Sequence, residues 1–126
     1  MPTAEPALQP VTSVAAWRGD GLGAGSEWIF HLSDDQIAEL ERTGARFIDD
    51  DLRYVQAGDY PLEACAPAIA EWGADIDRGR GFVLVRGLRT HRYSDALSAA
   101  IYYVLGLHLG EPMSQNNLGD LLDHVY

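Results

Sequence analysis

The sequence predicts an α+β fold that forms one domain or part of one. Its 126 residues lie within the usual size range of a single domain. Apolar residues make up 47% of the chain and charged residues 22%, a balance that indicates a folded core rather than a disordered chain. Segments with helical apolar spacing alternate with short apolar runs bounded by glycines, so both helices and strands are expected.

Residues 1–27 are predicted to form a flexible, Pro/Gly-rich N-terminal tail. Three prolines lie among small residues in its first part, and residues 19–26 form a glycine-rich link. The alternating glycines lack the Gly-Lys-Ser/Thr sequence of a phosphate-binding loop, so a plain loop is favoured. The folded domain is then expected to span residues 28–126.

Residues 28–32 have the alternation of a short strand, and a helix is predicted immediately after them. Ser33 and Gln36 have the spacing of a capping box, which predicts that this helix begins at Asp34. Its buried stripe consists of Ile37, Ala38 and Leu40. Gly44 is expected to disrupt the pattern.

A second amphipathic helix is predicted to open at Tyr60 and Pro61, with apolar residues at three- and four-residue steps. These residues are Leu62, Ala66, Ile69, Trp72 or Gly73, and Ile76. Residues 77–81 are expected to stop the helix. The continuous apolar run at residues 82–85 is bounded by glycines and predicts a buried strand.

A third helix is predicted from Ser94, its N-cap, to Leu107. Its inner face is expected to contain Leu97, Ala100, Ile101, Val104 and Leu105. Bulk packing is the favoured role of Tyr102 and Tyr103. Residues 121–125 have the composition of a further strand, and a chain that stops inside such an apolar segment is expected to be truncated.

Charge and cysteine content exclude several functional classes. The formal net charge of −10 would repel phosphate backbones and anionic lipids, so neither nucleic acid nor a membrane surface is expected as a partner. The lone Cys65 excludes internal disulfides and multi-cysteine metal sites.

No apolar run has the length of a membrane helix and no secretory signal is present at the start, which predicts a cytoplasmic protein. The acidic residues 49–51 are interpreted as a solvated turn rather than a cation site.

Three segments, in order, resemble the N-terminal region of TauD/TfdA-type dioxygenases. They are residues 79–88, a strand followed by Arg-Gly-Leu; residues 100–112, a helix leading to Gly-Glu-Pro; and the polar and apolar residues 114–125. The resemblance implies an Fe(II)/2-oxoglutarate-dependent dioxygenase that hydroxylates or desaturates a small organic substrate. It also implies helices and strands flanking a double-stranded β-helix, or jelly-roll, core that is absent or truncated in this chain.

The metal ligands of that family do not occur in this chain. In such enzymes a His-x-Asp/Glu pair and a distant second His hold the iron, and a later Arg holds 2-oxoglutarate. None of the four histidines has Asp or Glu two positions later; they are His31, His91, His108 and His124. The resemblance therefore implies that the complete enzyme uses Fe(II) and 2-oxoglutarate, whereas this fragment binds neither and has no catalytic residue.

The resemblance places Gln115, Asn116 and Asn117 near the mouth of the active site, where their amides would bind a polar substrate group. The alternative is that these side chains turn the chain and satisfy backbone groups. For His108, a structural role near the helix dipole is favoured over metal ligation. Asp123 and His124 would point to opposite faces of a strand, so they do not form a catalytic pair.

A second hypothesis treats the 126 residues as a noncatalytic binding or interaction module derived from this lobe. An acidic surface and uncovered strand edges would then suit a protein partner or self-association as a homo-oligomer. A stop codon directly after Tyr126 and cooperative folding of the isolated chain would favour this hypothesis.

Overall fold

The computed structural model describes residues 8–23, 25–48, 50 and 55–123. The helices and strands of this part are, in order, α1 (Gly19–Gly23), β1 (Ile29–His31), α2 (Asp34–Phe47), α3 (Ala66–Arg78), β2 (Leu84–Arg86) and α4 (Asp95–Leu109). Single 3-10 turns lie at Ala57–Asp59 and Thr90–Arg92. The predicted α+β class is confirmed, and the described residues form no closed barrel.

The predicted capping box at the start of α2 is confirmed. Ser33 Oγ accepts a hydrogen bond from the backbone N–H of Gln36 at 3.2 Å, and Gln36 Oε1 accepts one from the Ser33 N–H at 2.9 Å. The prediction that Gly44 disrupts the buried stripe is wrong, because Gly44 and Phe47 are both buried and α2 continues to Phe47. Gly44 is buried against α4, and this tertiary contact offsets the low helix propensity of glycine.

Helix α3 begins later than its apolar spacing predicts. Leu62 is buried, as expected, and Tyr60 is buried as well. Both precede the helix, which starts at Ala66 after a turn. The helix ends at Arg78 with Gly79 as its C-cap, which confirms the predicted stop. Ile76 is 41% exposed, so its predicted place on the buried stripe is wrong.

The two described strands pair in parallel, with Phe30 opposite Val85. Parallel strands need a long crossover, and α2 and α3 supply it. The predicted first strand is confirmed. The second was predicted at residues 82–85 and is observed at Leu84–Arg86. Leu84 is 37% exposed, so the prediction of a buried strand is wrong. In the described residues the sheet has two strands, too narrow to bury both of its faces.

Helix α4 confirms the predicted start after Ser94 and the predicted inner face, but it ends at Leu109, two residues beyond the predicted Leu107. The N–H of Leu97 donates to Ser94 Oγ at 3.1 Å, which caps the first turn. The helix packs mainly against α2, and the shared core includes Leu40, Phe47, Trp72, Ala100, Ile101, Tyr103 and Val104. Tyr103 is buried and stacks on Phe47 with ring centroids 5.4 Å apart. Tyr102 is 69% exposed, so within the described residues it does not have the packing role predicted for it.

The glycine-rich link contains one helical turn, α1, in place of a plain loop. Beyond it, the Trp28 ring lies near the Phe82 ring. Phe82 also contacts Trp17 edge-on, with the ring centroids 5.0 Å apart. The boundary of the tail at residue 27 stays a prediction.

Residues 121 and 122 form a bend, no strand starts within residues 121–123, and His124 lies outside the described residues. Of the acidic turn, only Asp50 lies within them, and it is exposed. No helix in the described ranges combines the length and the apolarity that crossing a bilayer requires.

Candidate functional site

The polar segment after α4 folds back as a hydrogen-bonded loop. The N–H of Gln115 donates to the carbonyl of Asp120 at 2.7 Å, and the N–H of Gly119 donates to the carbonyl of Asn116 at 3.2 Å. Gly119 has φ +81°, a left-handed conformation that glycine adopts without strain. The loop is therefore fixed by its own backbone and by a glycine that permits the turn.

Asn116 organises this loop with both ends of its amide. Its Oδ1 accepts from the backbone N–H groups of Leu118 and Asp120, at 2.9 and 3.2 Å. Its Nδ2 donates to the carboxylates of Asp120 and Asp123, at 2.8 and 3.1 Å. Asn116 thus satisfies backbone groups and orients two carboxylates, as expected of asparagine in a turn.

Gln115 lines a groove of about 430 Å³ between the C-terminal half of α4 and the loop. Its Nε2 donates to the carbonyl of Met113 at 2.9 Å. Tyr102, Gly106 and Leu122 also line the groove, whereas Asn116 and Asn117 are not among its lining residues. The structure brings one of the three predicted substrate-binding residues to a groove, and the substrate-binding role of all three stays a prediction.

The described residues contain no group of three or more His, Cys, Asp or Glu side chains that could hold a metal ion. His31 and His91 are exposed and lie on different elements. His108 is engaged elsewhere, since its Nε2 lies 2.7 Å from the carbonyl oxygen of Tyr60. This part of the chain therefore offers no ligand set for iron.

His108 has a structural role in this geometry. A carbonyl oxygen can only accept a hydrogen bond, so Nε2 carries the proton and the ring ties the end of α4 to the segment before α3. Burial lowers the pKa of His108 from its usual 6.5, and the charge of Glu39 opposes that shift. The folded chain therefore favours the neutral ring, and the contact with Tyr60 agrees with the structural role favoured for His108.

Sequence reasoning missed Glu39, the buried carboxylate behind this region. Glu39 is 7% exposed, and its two oxygens accept from the backbone N–H groups of Ala64 and Cys65, at 2.7 and 3.0 Å. Burial, followed by the hydrogen bond and charge of Glu39, raises the pKa of Cys65 to about 12. The thiol is therefore protonated and unreactive, and no sequence signal separates Glu39 from the neighbouring acids of α2.

The lowered pKa of His108 predicts a loss of stability as the pH falls. Below its unfolded-state pKa of 6.5 the unfolded chain binds a proton that the folded chain resists, so stability falls from pH 6.5 down to the lower folded pKa. Between pH 7.5 and 5.5 the thermal midpoint of the parent chain should therefore fall. We expect the fall in His108→Gln to be smaller by on the order of 1–3 °C. The exposed His91→Gln is the control, and equal pH profiles for both variants would contradict the assignment.

Comparison with known proteins shows similarity to part of a longer enzyme. No family model matches the chain. The chain is 28% identical over 114 residues to FR-33289 synthase of Streptomyces rubellomurinus (strain ATCC 31215). The alignment covers 89% of this chain and 34% of that protein, so the chain spans about a third of the length of the curated relative it matches. The chain is therefore similar to one part of a synthase.

Proposed function

We propose that this chain is the N-terminal portion of an Fe(II)/2-oxoglutarate-dependent dioxygenase that hydroxylates or desaturates a small organic substrate. The observation that carries the proposal is the similarity to a synthase over 89% of this chain but 34% of the synthase. The three ordered segments at residues 79–88, 100–112 and 114–125 support the same reading, because they resemble the TauD/TfdA family. Function is assigned here by resemblance, since the fold alone does not determine it.

The residues of this chain do not fit the iron site of such an enzyme. No histidine has a carboxylate two positions later, and His108 is bonded to a backbone carbonyl. The proposal therefore assigns the iron and 2-oxoglutarate ligands to polypeptide beyond Tyr126, and no step of the reaction to the residues described. In the complete enzyme, iron and 2-oxoglutarate would supply the oxidation of the substrate.

Within this proposal, Gln115 is the described residue best placed to meet a substrate. It lines the groove beside α4, and one N–H of its amide already donates to Met113. A primary amide has a second N–H and an acceptor oxygen, so it can bind a polar substrate group while keeping that contact. Asn116 would act indirectly by holding the loop that presents Gln115. Asn117, the third proposed substrate-binding residue, is exposed on the same loop.

Calorimetry with two polypeptides tests the proposal. The first is the 126-residue chain, and the second is the same protein extended to its next in-frame stop codon. We expect Fe(II) and 2-oxoglutarate to bind the extended protein and not the shorter chain. Absence of binding by both folded proteins would reject the dioxygenase and favour the noncatalytic interaction module. Binding by the shorter chain would contradict the assignment of the ligands to the extension.

A further inference from the structure

Helix α4 is apolar around its whole circumference. Apart from Asp95 in its first turn, its polar groups are the side chains of Ser98 and His108 and the hydroxyls of Tyr102 and Tyr103. A helix that is apolar on every side is typical of one that is buried on every side. The sequence of α4 therefore predicts a second packing partner opposite α2.

In the described residues, α4 is covered on one side only. Ala100, Ile101 and Val104 are buried against the core, and α2 makes the main contact. On the opposite side Tyr102 is 69% exposed and Leu109 is 43% exposed. Between them, a Cβ added at Gly106 would meet nothing within 4 Å.

These exposed positions form one continuous surface, which we call the outer face of α4. It consists of Tyr102, Gly106, Leu109 and, just past the helix, Met113. The helical members follow steps of four and three residues, which place them on the same side of the helix. Met113 is 74% exposed and lines the same groove as the other three. None of the four residues is charged, although the chain has a net charge of −10, so the face does not fit a partner recognised by charge.

We propose that the outer face of α4 is covered by polypeptide that follows Tyr126 in the longer protein. Two observations favour this occupant. The synthase that the chain resembles is matched over 34% of its length, which leaves ample polypeptide to form a further layer. Leu121 and Leu122 line the same groove, so the last described residues of the chain lie beside the face.

This inference rests on the part of the proposed function that assigns the chain to a longer protein, and not on its iron chemistry. A glycine at position 106 would let a covering element approach the helix backbone closely. Covering the face would also close the groove beside Gln115 into a cavity, where a small organic substrate would be shielded from water.

Matched substitutions in the protein extended to its next stop codon test the inference. Tyr102→Asn places a polar amide on the outer face, and Ile76→Asn places one on α3, where Ile76 is 41% exposed. Tyrosine, isoleucine and asparagine have similar helix propensities, so the two changes differ mainly in what covers the site. We expect Tyr102→Asn to lower the thermal midpoint by at least about 5 °C and Ile76→Asn by less than about 2 °C.

Failure of Tyr102→Asn to fold, with Ile76→Asn folded normally, is the extreme form of the expected result. Equal, small shifts for both variants would overturn the inference, as would a stop codon directly after Tyr126. Sedimentation tests whether a second copy of the protein covers the outer face instead. A dimer that dissociates in Tyr102→Asn would also overturn the inference. The extended protein could also show a large fall in thermal midpoint for Tyr102→Asn while binding neither Fe(II) nor 2-oxoglutarate. That result would support this inference and reject the proposed function.

Discussion

Replacing Glu39 by glutamine is expected to lower the free energy of unfolding by about 2–4 kcal/mol. The Glu39 carboxylate accepts hydrogen bonds from Ala64 and Cys65 just before α3 begins, and Cys65, the N-cap of that helix, provides no side-chain cap of its own. Glutamine keeps the shape but exchanges one acceptor oxygen for an amino group, which would face a backbone N–H. The variant would also lose a negative charge near the positive end of the α3 dipole.

Urea denaturation gives the loss of free energy, and Cys65 provides an independent local measurement. The thiol is fully buried and has a pKa of about 12, so it should resist a thiol reagent in the folded protein. In Glu39→Gln the hydrogen bond and the charge that help raise this pKa are gone, and the start of α3 opens more often. We therefore expect thiol modification to be at least about tenfold faster under native conditions, since each 1.4 kcal/mol of opening free energy is a factor of ten.

The matched control is Glu41→Gln, the same chemical change two positions later on α2. Glu41 forms an ion pair with Arg89 at the surface, and such pairs contribute little to stability. The control should unfold like the parent chain and leave the thiol protected. If the two variants lost similar stability, the buried carboxylate could not be the cap of α3.

Local interactions explain which parts of the fold could be predicted. The capping box of Ser33 and Gln36 and the cap at Ser94 join residues three positions apart, and both helices start where these pairs predict. The buried inner face of α4 was equally predictable, because its apolar residues follow the helical period.

The wrong predictions concern contacts between distant residues. The exposure of Leu84 depends on how many strands join the sheet. The lowered pKa of His108, which the sequence did not indicate, depends on burial against the segment that contains Tyr60. Glu39 belongs to the same class, since its partners lie 25 and 26 residues away. For the candidate site, the sequence indicated the polar segment but not the division of roles, in which Asn116 holds the loop and Gln115 lines the groove.

Gly44 shows how a tertiary contact can reverse a local preference. Glycine has a low helix propensity, but a Cβ at this position would lie 2.7 Å from Ile101 Cγ1 and 3.2 Å from Leu97 Cδ1. Both atoms belong to α4, and Ile101 is 1% exposed, so its side chain has no free space into which it can move. The absence of a side chain at Gly44 is what allows the two main helices of the core to approach.

Substituting Gly44 should therefore destabilise the protein even though alanine is the better helix former. Gly44→Ala gains about 1 kcal/mol in helix propensity but overpacks the α2–α4 contact at a cost of about 1–3 kcal/mol. Gly44→Val adds two further methyl groups and loses most of the propensity gain, so we expect a loss of about 3 kcal/mol or more in urea denaturation.

Gly73→Ala on α3 is the matched control, because a Cβ there meets nothing within 4 Å. The same substitution should stabilise the protein at that position by about 0.5–1 kcal/mol. If the free energy of unfolding falls for Gly44→Ala and rises for Gly73→Ala, the effect of helix packing is separated from that of helix propensity. Stabilisation at both positions would mean that α2 and α4 can move apart at little cost, and the close contact at Gly44 would then not determine how these helices pack.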